Sequence, residues 1–356
     1  MTEPHLERGS IVSRAVSHNL FWPIVALLAL IAANTIRRPN FLSITIMDGH
    51  LFGSLIDIMR SASPLLLVAL GMTLVIATRG IDLSVGSMIA ISGALALSYI
   101  QASPSPNSIT TVVPAVLIAL AVCLLLGAWN GFMVSVLGIQ PIIATLILMM
   151  AGRGIAMLIT GGFITTVNST PYKALGSGWF LGLPIPSWIA GLTLVAVLLL
   201  CRWGALGMLV EAVGINPAAA RLAGVRSRVI IWTVYIVAGL FAGIAGILLS
   251  ADTMAADANN AGLFYELDAI LAVVIGGTSL AGGKFSLSGT FVGVLVIATL
   301  SRTVTILGIS PLITPLFKAL VVILVMLLQS PVVREKLEAM GRRRRRNRAT
   351  GEAVSA

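Results

Sequence analysis

The sequence predicts an all-α, polytopic membrane protein with about ten transmembrane helices arranged in two related halves. Three observations predict it. The 70 residues from Leu83 to Gly152 contain no Asp, Glu, Lys or Arg, a stretch that cannot form the surface of a soluble protein. Only 10% of the chain is charged and 58% is hydrophobic, whereas an ordinary globular domain carries about a quarter charged residues. Apolar runs near the length that crosses a hydrocarbon core, about 20 residues, recur from one end of the chain to the other.

The elements follow in order. Residues 1–19 carry Glu3, Glu7, Arg8 and Arg14 and read as a cytoplasmic amino-terminal segment. The apolar run after them has no small-residue cleavage site with a soluble sequel, so it reads as a retained first helix and not as a removed signal peptide. Ten spans are expected, at 20–36, 62–78, 83–100, 112–137, 139–159, 185–201, 229–251, 266–277, 289–307 and 312–330. Between the first two, residues 37–60 are broken by Asp48, Gly49 and His50 and are expected to lie outside as a short interfacial helix. Trp22, Trp179 and Trp188, near span ends, suit an aromatic belt.

Basic residues orient the bundle. With both ends inside, the inner segments hold 16 Lys and Arg and the outer segments four, Arg37, Arg38, Arg60 and Lys173; Arg153, Arg302 and Lys318 fall within spans. This split predicts cytoplasmic amino and carboxyl termini. Eight of the 23 basic residues lie between Arg334 and Arg348, so residues 331–356 read as a tail on anionic headgroups and the net charge of +10 does not indicate nucleic-acid binding.

Two glycine-rich interruptions, Thr78–Gly86 and Ile275–Gly283, stand at similar places in the two halves, as in transporters built from repeats. Asp82 in the first must pair locally, with Arg79 or as a helix-start cap, or face solute, because an unpaired carboxylate in hydrocarbon is costly. Arg153, between Gly152 and Gly154, has room to reach carbonyls on a neighbouring helix, with a pore role as the other reading. Asn130 beside Trp129 offers an amide for a hydroxyl and an indole face for a sugar ring, or serves as interhelical glue. Asp82, Trp129, Asn130 and Arg153 are therefore the substrate-pathway candidates.

On the outer side, Asp257, Asn259, Asn260 and Glu266 form a polar stretch suited to an entrance or to docking a solute-delivery protein. Glu266 and Asp268 equally suit the start of the helix that follows. On the inner side, Asn216-Pro217 is a strong helix start with Asn as cap and Pro in the first turn. The short helix runs through Leu222 with Arg221 projecting and stops near Gly224, presenting small apolar residues either to another protein or to its own bundle.

The chemistry of catalysis is not legible here. No nucleotide-binding glycine loop precedes a Lys-Ser or Lys-Thr, no nucleophile or metal-ligand set accompanies the carboxylates, and Cys123 and Cys201 sit in apolar runs as small thiols. The chain is expected to be a non-catalytic subunit that binds no cofactor.

The motif Gly71-Met-Thr-Leu-Val-Ile-Ala-Thr-Arg-Gly-Ile-Asp-Leu-Ser-Val-Gly86, the run Glu211-Ala-Val-Gly-Ile-Asn216 and the run Tyr265-Glu-Leu-Asp-Ala-Ile270 continuing through Gly277 resemble the sugar permeases of bacterial ATP-binding-cassette importers, the group that includes the ribose permease. The likeness covers about residues 20–330. Asp48–Ser54 and Ala255–Gly262 bring it towards the galactofuranose branch. The resemblance implies a multi-pass channel subunit for a monosaccharide in the bacterial inner (cytoplasmic) membrane, working with a cytoplasmic ATP-binding subunit that uses the ATP, a periplasmic sugar-binding protein and a second permease chain, identical or homologous. It implies that Glu211, Gly214, Asn216, Pro217, Arg221 and Gly224, within the coupling loop 202–228, dock the ATPase. An ion-coupled secondary sugar transporter is the alternative.

Overall fold

In the computed structural model the described residues are 20–310 and 313–329. The predicted amino-terminal segment and basic tail lie outside them. The described residues are mostly helical, with α1 (Phe21–Arg37), α2 (Ser54–Ala77), α3 (Val85–Ala102), α4 (Ile109–Ser135), α5 (Pro141–Thr160), α6 (Thr170–Ser177), α7 (Ile185–Trp203), α8 (Leu206–Ile215), α9 (Pro217–Leu222), α10 (Ser227–Thr253), α11 (Tyr265–Ile275), α12 (Leu287–Ile306) and α13 (Thr314–Gln329). Three two-stranded ribbons sit between helices. They pair β1 (Thr45–Met47) with β2 (His50–Phe52), β3 (Thr165–Thr166) with β6 (Ala255–Ala256), and β4 (Trp179–Phe180) with β5 (Leu183–Pro184), all antiparallel.

Seven of the described helices, α2, α3, α4, α5, α7, α10 and α12, are long and apolar enough to cross a membrane. The other predicted spans are shorter among the described residues: 20–36 becomes the 17-residue α1, 266–277 the 11-residue α11, and 312–330 the 16-residue α13. Eleven residues rise about 16 Å, roughly half of the ~30 Å hydrocarbon thickness. Among the described residues, seven helices therefore have full spanning length, and α11 is a half-length helix.

Burial divides the bundle into a centre and a rim. In α2, 83% of the apolar window is buried, against 28% in α4 and α5 and 17% in α7. Leu125, Met150 and Leu158 point outward at 69%, 70% and 83% exposure, which only a lipid environment tolerates in such density. Small residues let the central helices approach: a Cβ at Gly127 would meet the carbonyl of Tyr235 at 2.5 Å, joining α4 to α10.

The segment 37–60 departs from the expected interfacial helix. It forms a 3₁₀ turn at Pro39–Leu42 and the β1–β2 hairpin, after which α2 begins at Ser54, eight residues before the predicted span. Asp48 and Gly49, both at positive φ (51° and 76°), make the tight turn that favours this dipeptide. Trp179, assigned above to an aromatic belt, packs instead on this hairpin, its ring centroid 5.2 Å from His50 and 4.7 Å from Phe52.

Candidate functional site

Three regions bring the singled-out residues together. The first is a joint on the side of α8 and α9. Asn216 caps α9 as its sequence predicts, its side-chain oxygen accepting from the amides of Ala218 and Ala219 at 3.0 Å each, with Pro217 in the first turn. Gly214 is buried at the end of α8, and a Cβ there would lie 1.8 Å from the Ala77 carbonyl and 2.6 Å from the Gly283 amide. That amide donates to the Ala77 carbonyl at 2.9 Å, and the Arg79 guanidinium donates to the Ile215 carbonyl. Both glycine-rich interruptions therefore meet at α8. Arg79, at φ 65°, is turned to that bond and away from Asp82, so the Arg79–Asp82 pair does not form.

The outward surface of this loop is apolar. Leu222 is 91% exposed, Met208 69% and Ile215 58%. Glu211 lies beside them, half-exposed on α8, and with Arg202 and Met208 it lines a groove of about 360 Å³ that reaches Ser286 and Ser288 at the start of α12. Arg221 projects from α9 as an exposed charge, and the helix stops before Gly224.

The second region is a buried polar cluster at the start of α3. Asp82 Oδ1 accepts from the Ser84 amide (2.9 Å) and hydroxyl (2.6 Å), and Asn130 Nδ2 donates to Ser84 Oγ at 2.8 Å. Asp82, Ser84 and Asn130 have no exposed surface. Burial pushes the Asp82 carboxyl above its ordinary value, against the opposing effect of the two Ser84 bonds. Asn130 is therefore a structural link between α4 and α3. Trp129, the next residue back, is 53% exposed on the outside of α4 against Phe132, so the expected pairing of amide and indole on one sugar does not occur.

The third region is the loop between β6 and α11. Asp257 Oδ1 accepts from the amides of Asn259 (3.0 Å) and Asn260 (3.2 Å), and its Oδ2 from Asn260 Nδ2 (2.8 Å). The Asn260 side-chain bond leads the effects that hold the Asp257 carboxyl below its ordinary value. From α5, Arg153 Nη1 donates to the carbonyls of Ala258 (3.0 Å) and Ala261 (2.6 Å), which belong to this loop and not to a neighbouring helix. Glu266 in the first turn of α11 reaches α3: a Cβ at Gly86 would meet its Oε2 at 2.4 Å. Asn259 remains exposed.

Asp257 and Asn260 line a cavity of about 410 Å³ together with Ser250, Thr253 and Tyr265, its other walls being small or apolar residues of α3, α10, β6 and the loop itself, with Ile164. Tyr265 and Leu249 also border a second cavity of about 320 Å³ that holds Asp57, Arg60 and Asp252. Ion pairs tie the helices around it: Arg60 to Asp252, Arg302 to Asp57 at 2.9 Å, and Lys318 to Asp268 at 2.6 Å. Ser250, Thr253 and Tyr265 were not among the predicted site residues. The Tyr265 signal was adjacency to Glu266 in a quoted motif; the α10 residues sit in an apolar run that gave none.

Replacing Arg153 with Gln is expected to release this loop. Hydrogen bonds to a charged donor are worth about 1.5–3 kcal/mol each, so amide exchange at residues 258–262, read by mass spectrometry, should quicken at least tenfold; unchanged exchange would show that the guanidinium does not hold it.

Among the described residues no three His, Cys, Asp or Glu side chains gather as a metal site requires, and both cysteines are free. Residues 54–328 match the family model described as the branched-chain amino acid transport system / permease component. The chain belongs to that family. It is 50% identical over 315 residues to the galactofuranose transporter permease protein of Escherichia coli (strain K12), covering 87% of this chain and 90% of that one. It is 43% identical over 356 residues to the fructose import permease protein of Bifidobacterium longum (strain NCC 2705), with 98% of each covered. The ribose import permease protein of Escherichia coli (strain K12) is 39% identical over 312 residues, 86% of this chain and 92% of its own. No solved structure gives a significant match. Neither the family nor these relatives support an ion-coupled secondary transporter.

Proposed function

We propose that this chain is the membrane-spanning, non-catalytic permease subunit of an ATP-driven bacterial sugar importer, with galactofuranose or a related monosaccharide as its solute. The observation that carries the coupling half of this reading is the α8–α9 loop: its exposed face is apolar, while its buried face is wedged between the ends of α2 and the 276–286 segment. A surface of that kind is open to an external partner and mechanically joined to the spans. In this reading α9 and Glu211 dock the cytoplasmic ATP-binding subunit, whose closure is passed through Gly214 to both glycine-rich segments.

The same reading makes residues 1–19 and 331–356 cytoplasmic, residues 20–330 the permease domain, and α1, α11 and α13 the members that complete a ten-helix bundle of two related halves. The charged cavity around Asp57, Arg60 and Asp252 faces the periplasmic sugar-binding protein. Beyond it, Asp257, Asn260, Ser250 and Thr253 offer hydroxyl-bonding groups and Tyr265 a ring face to a sugar. A second permease chain, identical or homologous, completes the channel. Transport is alternating access with no covalent change to the sugar.

Glu211→Lys tests the coupling. The variant chain is expected to insert normally while losing ATPase association and sugar-stimulated ATP hydrolysis by at least tenfold, measured by co-purification and phosphate release in proteoliposomes with the cognate subunits. Undiminished association and transport would reject the docking assignment.

A further inference from the structure

A cavity of about 420 Å³ lies between α2, α7, α8 and α10, on the far side of Cys201 from the Glu211 groove and clear of the other two regions. Leu74, Val210 and Val234 form a buried floor, and Leu200 and Leu206 an exposed rim. Its two hydroxyls are spent on their own helices, Thr193 donating to the Ile189 carbonyl and Thr233 to that of Val229. Nothing polar is left to hold water. A methylene takes up about the room of a water, roughly 30 Å³, so the space accommodates about fourteen of them. Along α10 its lining runs from Ile230 to Phe241, about 16 Å of helix and about half of the ~30 Å hydrocarbon thickness. That is the depth of one leaflet.

Charge marks one end of the cavity. Arg226 precedes α10 at a position four residues from Ile230 and seven from Thr233, on the helix face that lines the space. Arg202 closes α7 next to Cys201, the residue that lines both this space and the Glu211 groove that Arg202 borders. Both are exposed, and neither forms an ion pair among the described residues. Unpaired arginines at the foot of an apolar slot one leaflet deep match the two parts of an anionic phospholipid.

We infer that this cavity holds one acyl chain of a phospholipid whose anionic headgroup rests on Arg226 and Arg202. The lipid would then wedge between the rim helix α7 and α8. Its placement in the inner leaflet rests on the cytoplasmic reading of residues 202–228; the binding itself does not.

Native mass spectrometry of the full chain, taken from nanodiscs of equal phosphatidylglycerol and phosphatidylcholine, tests the site. The wild type is expected to retain one phosphatidylglycerol per chain at about tenfold over phosphatidylcholine. Arg202→Gln with Arg226→Gln should bring that preference within twofold, and Ala196→Trp, filling the rim, should remove the retained lipid. Leu200→Trp replaces Ala196→Trp should the latter melt early. A wild-type chain without retained lipid, equal retention in the filled variants, or an undiminished preference in the double variant would each overturn the site. None of these readouts depends on transport, so their failure leaves the importer reading standing, and loss of transport coupling in Glu211→Lys leaves the lipid site standing.

Discussion

Gly214→Ala is expected to stop sugar transport almost completely while the chain still reaches the membrane. The added methyl would sit 1.8 Å from the Ala77 carbonyl and 2.6 Å from the Gly283 amide, and both neighbours are backbone that no rotamer change can move aside. Overpacking of this kind costs about 1–3 kcal/mol, and here the whole cost falls on the contact between α8 and the two glycine-rich segments. Reconstituted with its partners, the variant should transport at under one tenth of the wild-type rate. Its ATPase activity should lose its response to sugar. Gly154→Ala supplies the comparison, since nothing lies within 4 Å of a Cβ at that helical position, and it should leave transport unchanged. Equal behaviour of the two variants would show that close packing at Gly214 does not transmit motion.

The second large effect is expected at Asp82. Asp82→Ala removes the acceptor for both the amide and the hydroxyl of Ser84, and buried donors left without partners cost about 1–3 kcal/mol each. The variant should therefore lose about 3 kcal/mol of stability, read as a lowered melting temperature in detergent. Asp82→Asn keeps an acceptor oxygen and should melt near the wild type. The pH dependence separates the two states of the carboxyl. Burial raises its value in the folded chain above the ordinary 3.8, so between those two values the folded state binds more protons than the unfolded state. Its contribution is then greatest at low pH and declines as pH rises through the folded value. Asp82→Asn should lack that decline. An identical pH profile in wild type and Asp82→Asn would mean that the carboxyl does not change charge on folding.

Most of the spanning helices were legible because a helix in lipid must be apolar over its whole circumference, a signal that survives without tertiary information. The α9 start was legible for a local reason as well, since Asn216 and Pro217 act on the next two amides. The half-length α11 was less so: 266–277 is apolar enough for a span, and only the fold shows that it stops after 11 residues. The hairpin at 45–52 carries its own signal, Asp48-Gly49 between apolar residues, a dipeptide that favours a two-residue turn as well as interrupting a helix. Trp129 and Asn130 could have been separated by geometry, because neighbours on a helix point about 100° apart and seldom share a ligand. What no local pattern carries is the reach of Arg153 to Ala258 and Ala261, or the meeting of Gly214 with Ala77 and Gly283. Those contacts exist only after distant helices pack.

The lining of the cavity beside Tyr265 has a consequence for selectivity. Asp257 and Asn260 bond each other, the Ser250 hydroxyl bonds that of Tyr172, and Thr253 donates to nearby carbonyls, which leaves little free capacity to tell one hydroxyl stereochemistry from another. In the proposed reading this cavity is a permissive conduit, and discrimination falls to the soluble receptor that delivers the cargo. Exchanging that receptor for one with a different monosaccharide preference, its docking face preserved, should retarget uptake without altering a residue of this chain.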